Sequence, residues 1–219
     1  MSVDPDLALL IFARAPVPGG AKSRLIPSLG AEGAALLQQR MTRRVLETAT
    51  AAAVGAVFLW CTPSARHPFF VACRAAYDVA LRTQSGADLG QRLLGAHDRT
   101  FRSYARLLVI GTDCPLLSRQ DLHAARTELR RSDAVVIPSE DGGYVLLGLA
   151  RPCPEVFRDI DWGSARVLEQ TLARLRENGR SWRLLPPLWD VDREEDVVRL
   201  AACLPDMVAD LPTHFRLAR

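Results

Sequence analysis

Three short segments collect the residues best suited to chemistry on an anion. The first runs from Arg14 through Pro16, Pro18, Gly19, Gly20, Lys22 and Arg24 to Gly30. Gly19 and Gly20 lack side chains and let backbone N–H groups approach an anion. Lys22, the chain's only lysine, supplies a point charge and Arg24 a fork that matches phosphate oxygens. A Pro/Gly turn carrying solvated charges has the same composition. Two alternatives fail on spacing. A Walker A loop needs glycines where Pro16 and Ala21 stand, and no G-x-G-x-x-G follows a strand.

The second segment, Gly111-Thr-Asp-Cys-Pro-Leu-Leu117, places Asp113 just beyond an apolar run. A carboxylate there suits a hard divalent cation, Mg²⁺ or Mn²⁺, which commonly joins one or two carboxylates to substrate phosphates. A turn or capping aspartate is the alternative. The third segment reaches from Trp189 to Glu195. Asp190 and Asp192 share a side of an extended chain, and Asp192 is our choice to complete a metal site with Asp113. Asp192 with Glu195 also fits a D-x-x-E helix cap. Between these segments, Asp141 with Gly142 and Gly143 either forms a hairpin turn or contacts an acceptor or sugar. Asp159, Asp161 and Trp162 precede a helix and either cap it or line the acceptor side. Cys114 has no histidine placed beside it and reads as packing, and His67, His97, His123 and His214 fall into no ligand spacing.

These loops need a frame that brings them together. Leu7 to Ala13 is a continuous apolar run closed by the Pro/Gly cluster, as expected of a strand buried on both faces. Residues 31–53 carry Leu37, Met41 and Val45 near helical spacing, with arginines and glutamines between. The alternation continues. Strands are predicted at Val57 to Cys61, Val79 to Thr83, Leu107 to Ile110, Val135 to Pro138, Tyr144 to Leu149 and Trp182 to Leu185. Helices are predicted over 66–76, 88–104, 119–131 (capped by Ser118 and Asp121), 163–178 and 194–203. The pattern gives an α/β fold whose mostly parallel central sheet is covered on both faces, with ligands beyond the carboxyl ends of the strands.

Composition narrows the class. The 219 residues suit one α/β domain over 1–219, and 48% hydrophobic with 24% charged residues is ordinary globular usage. A net charge of +3 is too weak for a nucleic-acid binder. Five scattered cysteines without a C-x-x-C pair suit a reducing compartment. Asp4 and Asp6 precede the first apolar run where a signal peptide would be basic, and no apolar stretch reaches membrane length. The expectation is a cytoplasmic protein with no membrane partner, and a homodimer is left open.

Five motifs occur in order: Pro16-x-Pro18-Gly19-x-x-Lys22-Ser23-Arg24-Leu25, Gln84-Ser-Gly-Ala-Asp88-Leu89-Gly90-x-Arg92-Leu93, Gly111-Thr-Asp113-Cys-Pro115-Leu116, Asp141-Gly-Gly-Tyr144 and Asp190-Val-Asp192. Together, over almost the whole chain, they resemble the DUF2064 family, also called the radical-SAM/selenodomain-associated or arsenosugar-biosynthesis glycosyltransferase family. That resemblance implies a three-layer, Rossmann-like GT-A fold of the nucleotide-diphospho-sugar transferase superfamily. It puts Asp113 and Asp192 on the metal, and Lys22 and Arg24 near phosphates. Arg14 stands where members of that family often carry a lysine. The Ala21 to Leu25 and Asp113 to Leu117 loops are also similar to those of 2-phospholactate guanylyltransferase and molybdenum-cofactor nucleotidyltransferases. The expectation is a metal-dependent transferase acting on a nucleotide-sugar or nucleoside triphosphate and a small acceptor. Glycosyl transfer leads, with nucleotidyl transfer and an inactive nucleotide-binding domain as alternatives. Asp113, Lys22 and Asp141 are the expected catalytic residues.

Overall fold

The structure, a computed structural model, describes residues 3–212. Its order is β1 (Leu7–Arg14), α1 (Ile26–Ala52), β2 (Ala56–Thr62), α2 (Pro68–Tyr77), β3 (Ala80–Thr83), α3 (Leu89–Thr100), β4 (Arg106–Ile110) and α4 (Arg119–Glu128). There follow β5 (Ala134–Pro138), β6 (Tyr144–Leu149), α5 (Val167–Glu177), β7 (Trp182–Leu184) and α6 (Glu194–Cys203). The strands join in one sheet of order β3-β2-β1-β4-β6-β5-β7. Pairing is parallel except at β6, which runs antiparallel to both β4 and β5. The reversed β6 starts at the rim where β1, β2 and β4 end, so Tyr144 rises beside Ile110 and its loop.

The sheet is buried on both faces, as its continuous apolar runs require. Leu7, Leu9 and Ile11 pack with the first layer of helices, α1, α2 and α4. Ala8 and Leu10 alternate to the opposite face and pack with α3 and α5. A third cluster seats Trp189, Val191 and Val197 of the α6 region against Leu29, Leu37 and Met41 of α1. That packing brings the chain after β7 back to the first loop.

Local chemistry explains most boundaries. Ser118 and Asp121 form the expected reciprocal cap of α4, with the Asp121 carboxylate accepting from Ser118 N at 2.8 Å. Gly30, at φ 68° and ψ 169°, is non-helical and splits α1 into a short first turn and the long helix that starts after it, as predicted for 31–53. The predicted start of α5 at 163 is corrected to Val167, because Gly163 takes φ 85° and Asp161 ties residues 161–166 into a turn with Arg166. The predicted Asp192–Glu195 cap is corrected too. Asp196 supplies the carboxylate, accepting from Asp192 N at 2.9 Å and Arg193 N at 2.7 Å. All five cysteines are free. No helix among the described residues is long and apolar enough to cross a membrane. His214 lies outside the described residues.

Candidate active site

The first loop leaves β1 through a tight turn. Pro18 and Gly19 are its central residues, Gly19 at φ 78°, and Gly20 N donates to Val17 O at 2.9 Å. This is a type II turn, which needs a glycine at its third position. Ala21 N donates to the same carbonyl at 3.2 Å. The turn therefore spends the N–H of Gly20, one of the two glycines expected to bring N–H groups to an anion, together with that of Ala21.

Lys22 follows in the left-handed region at φ 48°, a conformation that costs a non-glycine residue about 1–3 kcal/mol. Its side chain is only 5% exposed. Lys22 Nζ donates to Val191 O at 2.5 Å and pairs with Asp113 Oδ1 at 2.8 Å. Val191 N in turn donates to Asp113 O at 2.8 Å. One ammonium thus ties the first loop to the second and third, with one of its three donors left over. Arg24 pairs with Asp192, both side chains substantially exposed.

These residues line a cleft of about 660 Å³ that Arg14, Gly20, Lys22, Arg24, Asp113 and Asp192 share with Arg92 of α3. Gln38 and Thr112 form its floor, Gln38 Nε2 donating to Thr112 Oγ1 at 3.0 Å. Gln38 is a residue that sequence reading missed, since we placed the α1 glutamines on the solvent side. Its bond to Thr112 is what permits its burial, and the polar position on the apolar stripe was the available signal. Gln84 and Asp88 close the far end of the cleft.

Asp113 also lines a second cavity of about 300 Å³, bounded by Phe12, Leu93, Val109, Tyr144 and Trp162, with Asp141, Gly143 and Asp190 at its edge. Asp190 is the carboxylate that the sequence offers as the alternative to Asp192. Its carboxylate accepts from Ser139 Oγ at 3.0 Å. Burial pushes its carboxyl up to about 7, the neighbouring charge of Asp113 adds to the rise, and the Ser139 bond opposes it. Asp190 thus faces the side of Asp113 where the second cavity lies, and Asp192 the side of the larger cleft. No cluster of three potential metal-ligating side chains is present among the described residues. The set fits Mg²⁺ or Mn²⁺ all the same, because such ions usually take one or two carboxylates and complete their shell with phosphate and water. Asp190, a carboxylate disfavoured first by its burial and then by the charge of Asp113, is a donor that a hard cation would stabilise.

Asp141 is exposed on the β5–β6 turn, its Oδ1 accepting from Gly143 N at 3.0 Å. It also lines a third cavity, of about 460 Å³, beside Asp190 and Asp192. Gly142 lines none of these cavities. At φ 90° a Cβ there would meet Ala165 O at 2.2 Å, so this glycine lets two backbones touch. Gly19 likewise serves only its turn. Asp159 and Asp161 pair with Arg174 and Arg166 and stay outside the cavities, whereas Trp162 enters the second. Cys114 is buried, its thiol pushed up to about 12 by that burial, which agrees with packing.

The family described as "Uncharacterized protein conserved in bacteria (DUF2064)" matches residues 45–164. A 3-phospho-D-glycerate guanylyltransferase of Phenylobacterium zucineum is 31% identical over 208 residues, 90% of this chain and 94% of that protein. A structure named as a nucleotide-diphospho-sugar transferase, from Desulfovibrio desulfuricans G20, superposes with a TM-score of 0.83 at 28% identity, covering 91% of this chain and 88% of that one. The 4-diphosphocytidyl-2C-methyl-D-erythritol synthase of Anaerococcus prevotii shares the fold, with a TM-score of 0.62 at 11% identity over 92% of this chain and 99% of that one. The chain belongs to the DUF2064 family, and its enzyme class is transferase.

Proposed function

We propose that this enzyme transfers a nucleotidyl group from a nucleoside triphosphate, guanosine triphosphate first among them, to a small acceptor. The observation that carries the reading is the gathering of Arg14, Lys22, Arg24 and Arg92 along one cleft that ends at Asp113. Four cations suit a chain of three phosphates better than the diphosphate of a sugar nucleotide. The relative named for guanylyl transfer supports the same choice, and the base with it.

In this reading the acceptor's oxygen attacks the α-phosphorus, the bond to the β-phosphate oxygen breaks, and pyrophosphate leaves. Lys22, Arg24 and Arg14 neutralise the charge that grows on it. Asp113, with Asp192 and Asp190 beside it, would hold Mg²⁺ or Mn²⁺, which supplies further charge neutralisation on the phosphates. Asp141 contacts the acceptor. A second reading, glycosyl transfer from a nucleotide-diphospho-sugar, draws on the superposition at a TM-score of 0.83.

Thermal shifts separate the two. A ligand at about 100 times its dissociation constant adds about 2.7 kcal/mol of stability. Guanosine triphosphate with Mg²⁺ should raise the melting temperature and release pyrophosphate when acceptor is added. Stabilisation by sugar nucleotides alone reverses the ranking in favour of glycosyl transfer.

A further inference from the structure

The floor of the larger cleft holds a chain of polar groups with a definite direction. Gln38 of α1 and Thr112 of the loop after β4 are each 3% exposed, and Thr42, one turn further along α1, is fully buried. The Thr42 hydroxyl donates to Gln38 O at 2.8 Å, which spends its single proton. The Gln38 side-chain atom lying 3.3 Å from Thr42 Oγ1 must therefore be a donor, and this fixes the amide nitrogen on that side. The same Nε2 gives its other proton to Thr112 Oγ1 at 3.0 Å.

Thr112 Oγ1 is thereby an acceptor on its α1 side, and its own proton is turned elsewhere. No group among the described residues accepts that proton. A hydroxyl so nearly buried needs a partner, and the open space that Thr112 borders is the cleft it shares with Arg14, Lys22, Arg24 and Arg92. Lys22 and Arg24 there already engage Asp113 and Asp192. The Thr112 proton is a donor without such a competitor.

We propose, on the reading of the enzyme as a nucleotidyltransferase, that Thr112 donates a hydrogen bond to a non-bridging phosphate oxygen of the nucleoside triphosphate. Gln38 is the positioning residue that aims it. The donor is oriented before the nucleotide arrives, so the bond forms without reorganisation, and being neutral it does not repel a cation on Asp113.

The test separates this donor from the pair's role in packing. Guanosine triphosphate with Mg²⁺ is titrated calorimetrically into the wild type, Thr112→Ser, Thr112→Val and the double variant Thr112→Val with Gln38→Met, and the melting temperature of each is taken without ligand. Thr112→Val should bind about tenfold more weakly or worse, the loss of a hydrogen bond to a charged group, and Thr112→Ser, which keeps the hydroxyl, should stay within about threefold of the wild type. Thr112→Val also leaves a Gln38 N–H without its acceptor and should melt lower. The double variant removes both partners, so it should regain melting temperature yet bind as weakly as Thr112→Val. Affinity that returns together with melting temperature, or wild-type affinity in Thr112→Val, overturns the inference: the pair then only ties α1 to the β4 loop, and nucleotidyl transfer stands. If the wild type neither binds guanosine triphosphate nor releases pyrophosphate from it, the parent reading falls and the inference with it.

Discussion

The two sides of Asp113 are built by different means. On the β1 side, charged side chains from distant loops hold one another: Lys22 pairs with Asp113 and binds Val191 O, and Arg24 pairs with Asp192. On the β6 side the shape comes from backbone and packing, with Gly142 against Ala165 and Trp162 against Tyr144 and Gly90. A cleft for a polyanion needs mobile positive charge that can be redirected from a carboxylate to a phosphate. A cavity that selects an acceptor needs fixed walls. Substitutions on the first side should therefore act on turnover, and those on the second on stability and selectivity.

Asp113 belongs to both sides, and its loss should have the largest effect. Asp113→Ala should lower kcat/KM for pyrophosphate release by roughly 10³-fold, about 4 kcal/mol of transition-state stabilisation. Its own side chain is 51% exposed, but its loss leaves the Lys22 ammonium, 5% exposed, with Val191 O alone, so the melting temperature should fall as well. Unchanged nucleotide binding and turnover in this variant would remove Asp113, and the cation placed on it, from the chemistry.

Lys22 comes next. Lys22→Ala removes the ammonium from Val191 O and Asp113, and we expect roughly a 10²-fold fall in turnover, with about 1–3 kcal/mol of stability lost from the unpaired groups. Lys22→Gly removes the same charge but accepts the left-handed backbone at φ 48° without strain. Equal turnover and higher stability for glycine than for alanine would separate the residue's charge from its conformation. If both variants turn over normally, Lys22 is a structural tie alone.

The frame that carries these residues was legible in the chain itself. Leu7 to Ala13 announces a doubly buried strand through its unbroken apolar run, and Ser118 with Asp121 announces a helix start three residues apart, because both signals are local. The site was legible only in part. Asp190 and Asp192 occupy the same side of an extended segment, and sequence parity does not say which lies nearer the second cavity. That is decided by Val191, whose N–H and carbonyl are held by Asp113 O and Lys22, residues about 80 and 170 positions away. Gln38 was hidden for the same reason: its partner, Thr112, lies 74 residues along the chain. The reversal of β6 against β5 was legible in the hairpin reading of Asp141 to Gly143, whereas its place beside β4 was not, since an apolar strand does not say which neighbour it pairs with.

The second side yields to backbone changes. Gly142→Ala places a Cβ against Ala165 O at φ 90°, and we expect roughly 2 kcal/mol of lost stability by chemical denaturation. Selectivity among acceptors should degrade with it, while affinity for guanosine triphosphate persists. Loss of nucleotide affinity without loss of acceptor selectivity would invert the division drawn above.

The smallest effect expected is a pH dependence of stability set behind that second side. His97 on α3 is 2% exposed and packs against Phe101 and Phe157, beneath the segment that leads to Trp162. Its Nε2 accepts from Cys153 N at 3.1 Å, so the neutral ring must carry its proton on Nδ1, which faces Asp98 at 2.8 Å. Charging the ring would turn Nε2 into a donor aimed at another N–H. Burial accordingly lowers the His97 pKa from 6.5, and Asp98 opposes only part of that shift. Because the folded value lies below the unfolded one, the unfolded chain binds the extra proton first. The contribution is complete above about pH 6.5 and is lost as the pH falls through the folded value. Denaturation at about pH 7.5 and about pH 5.5 should show the wild type losing stability on acidification. His97→Gln keeps an acceptor for Cys153 N but cannot titrate, so it should lose less over the same interval. An equal loss in both proteins would move the acid sensitivity away from this histidine and onto the carboxylates of the rim.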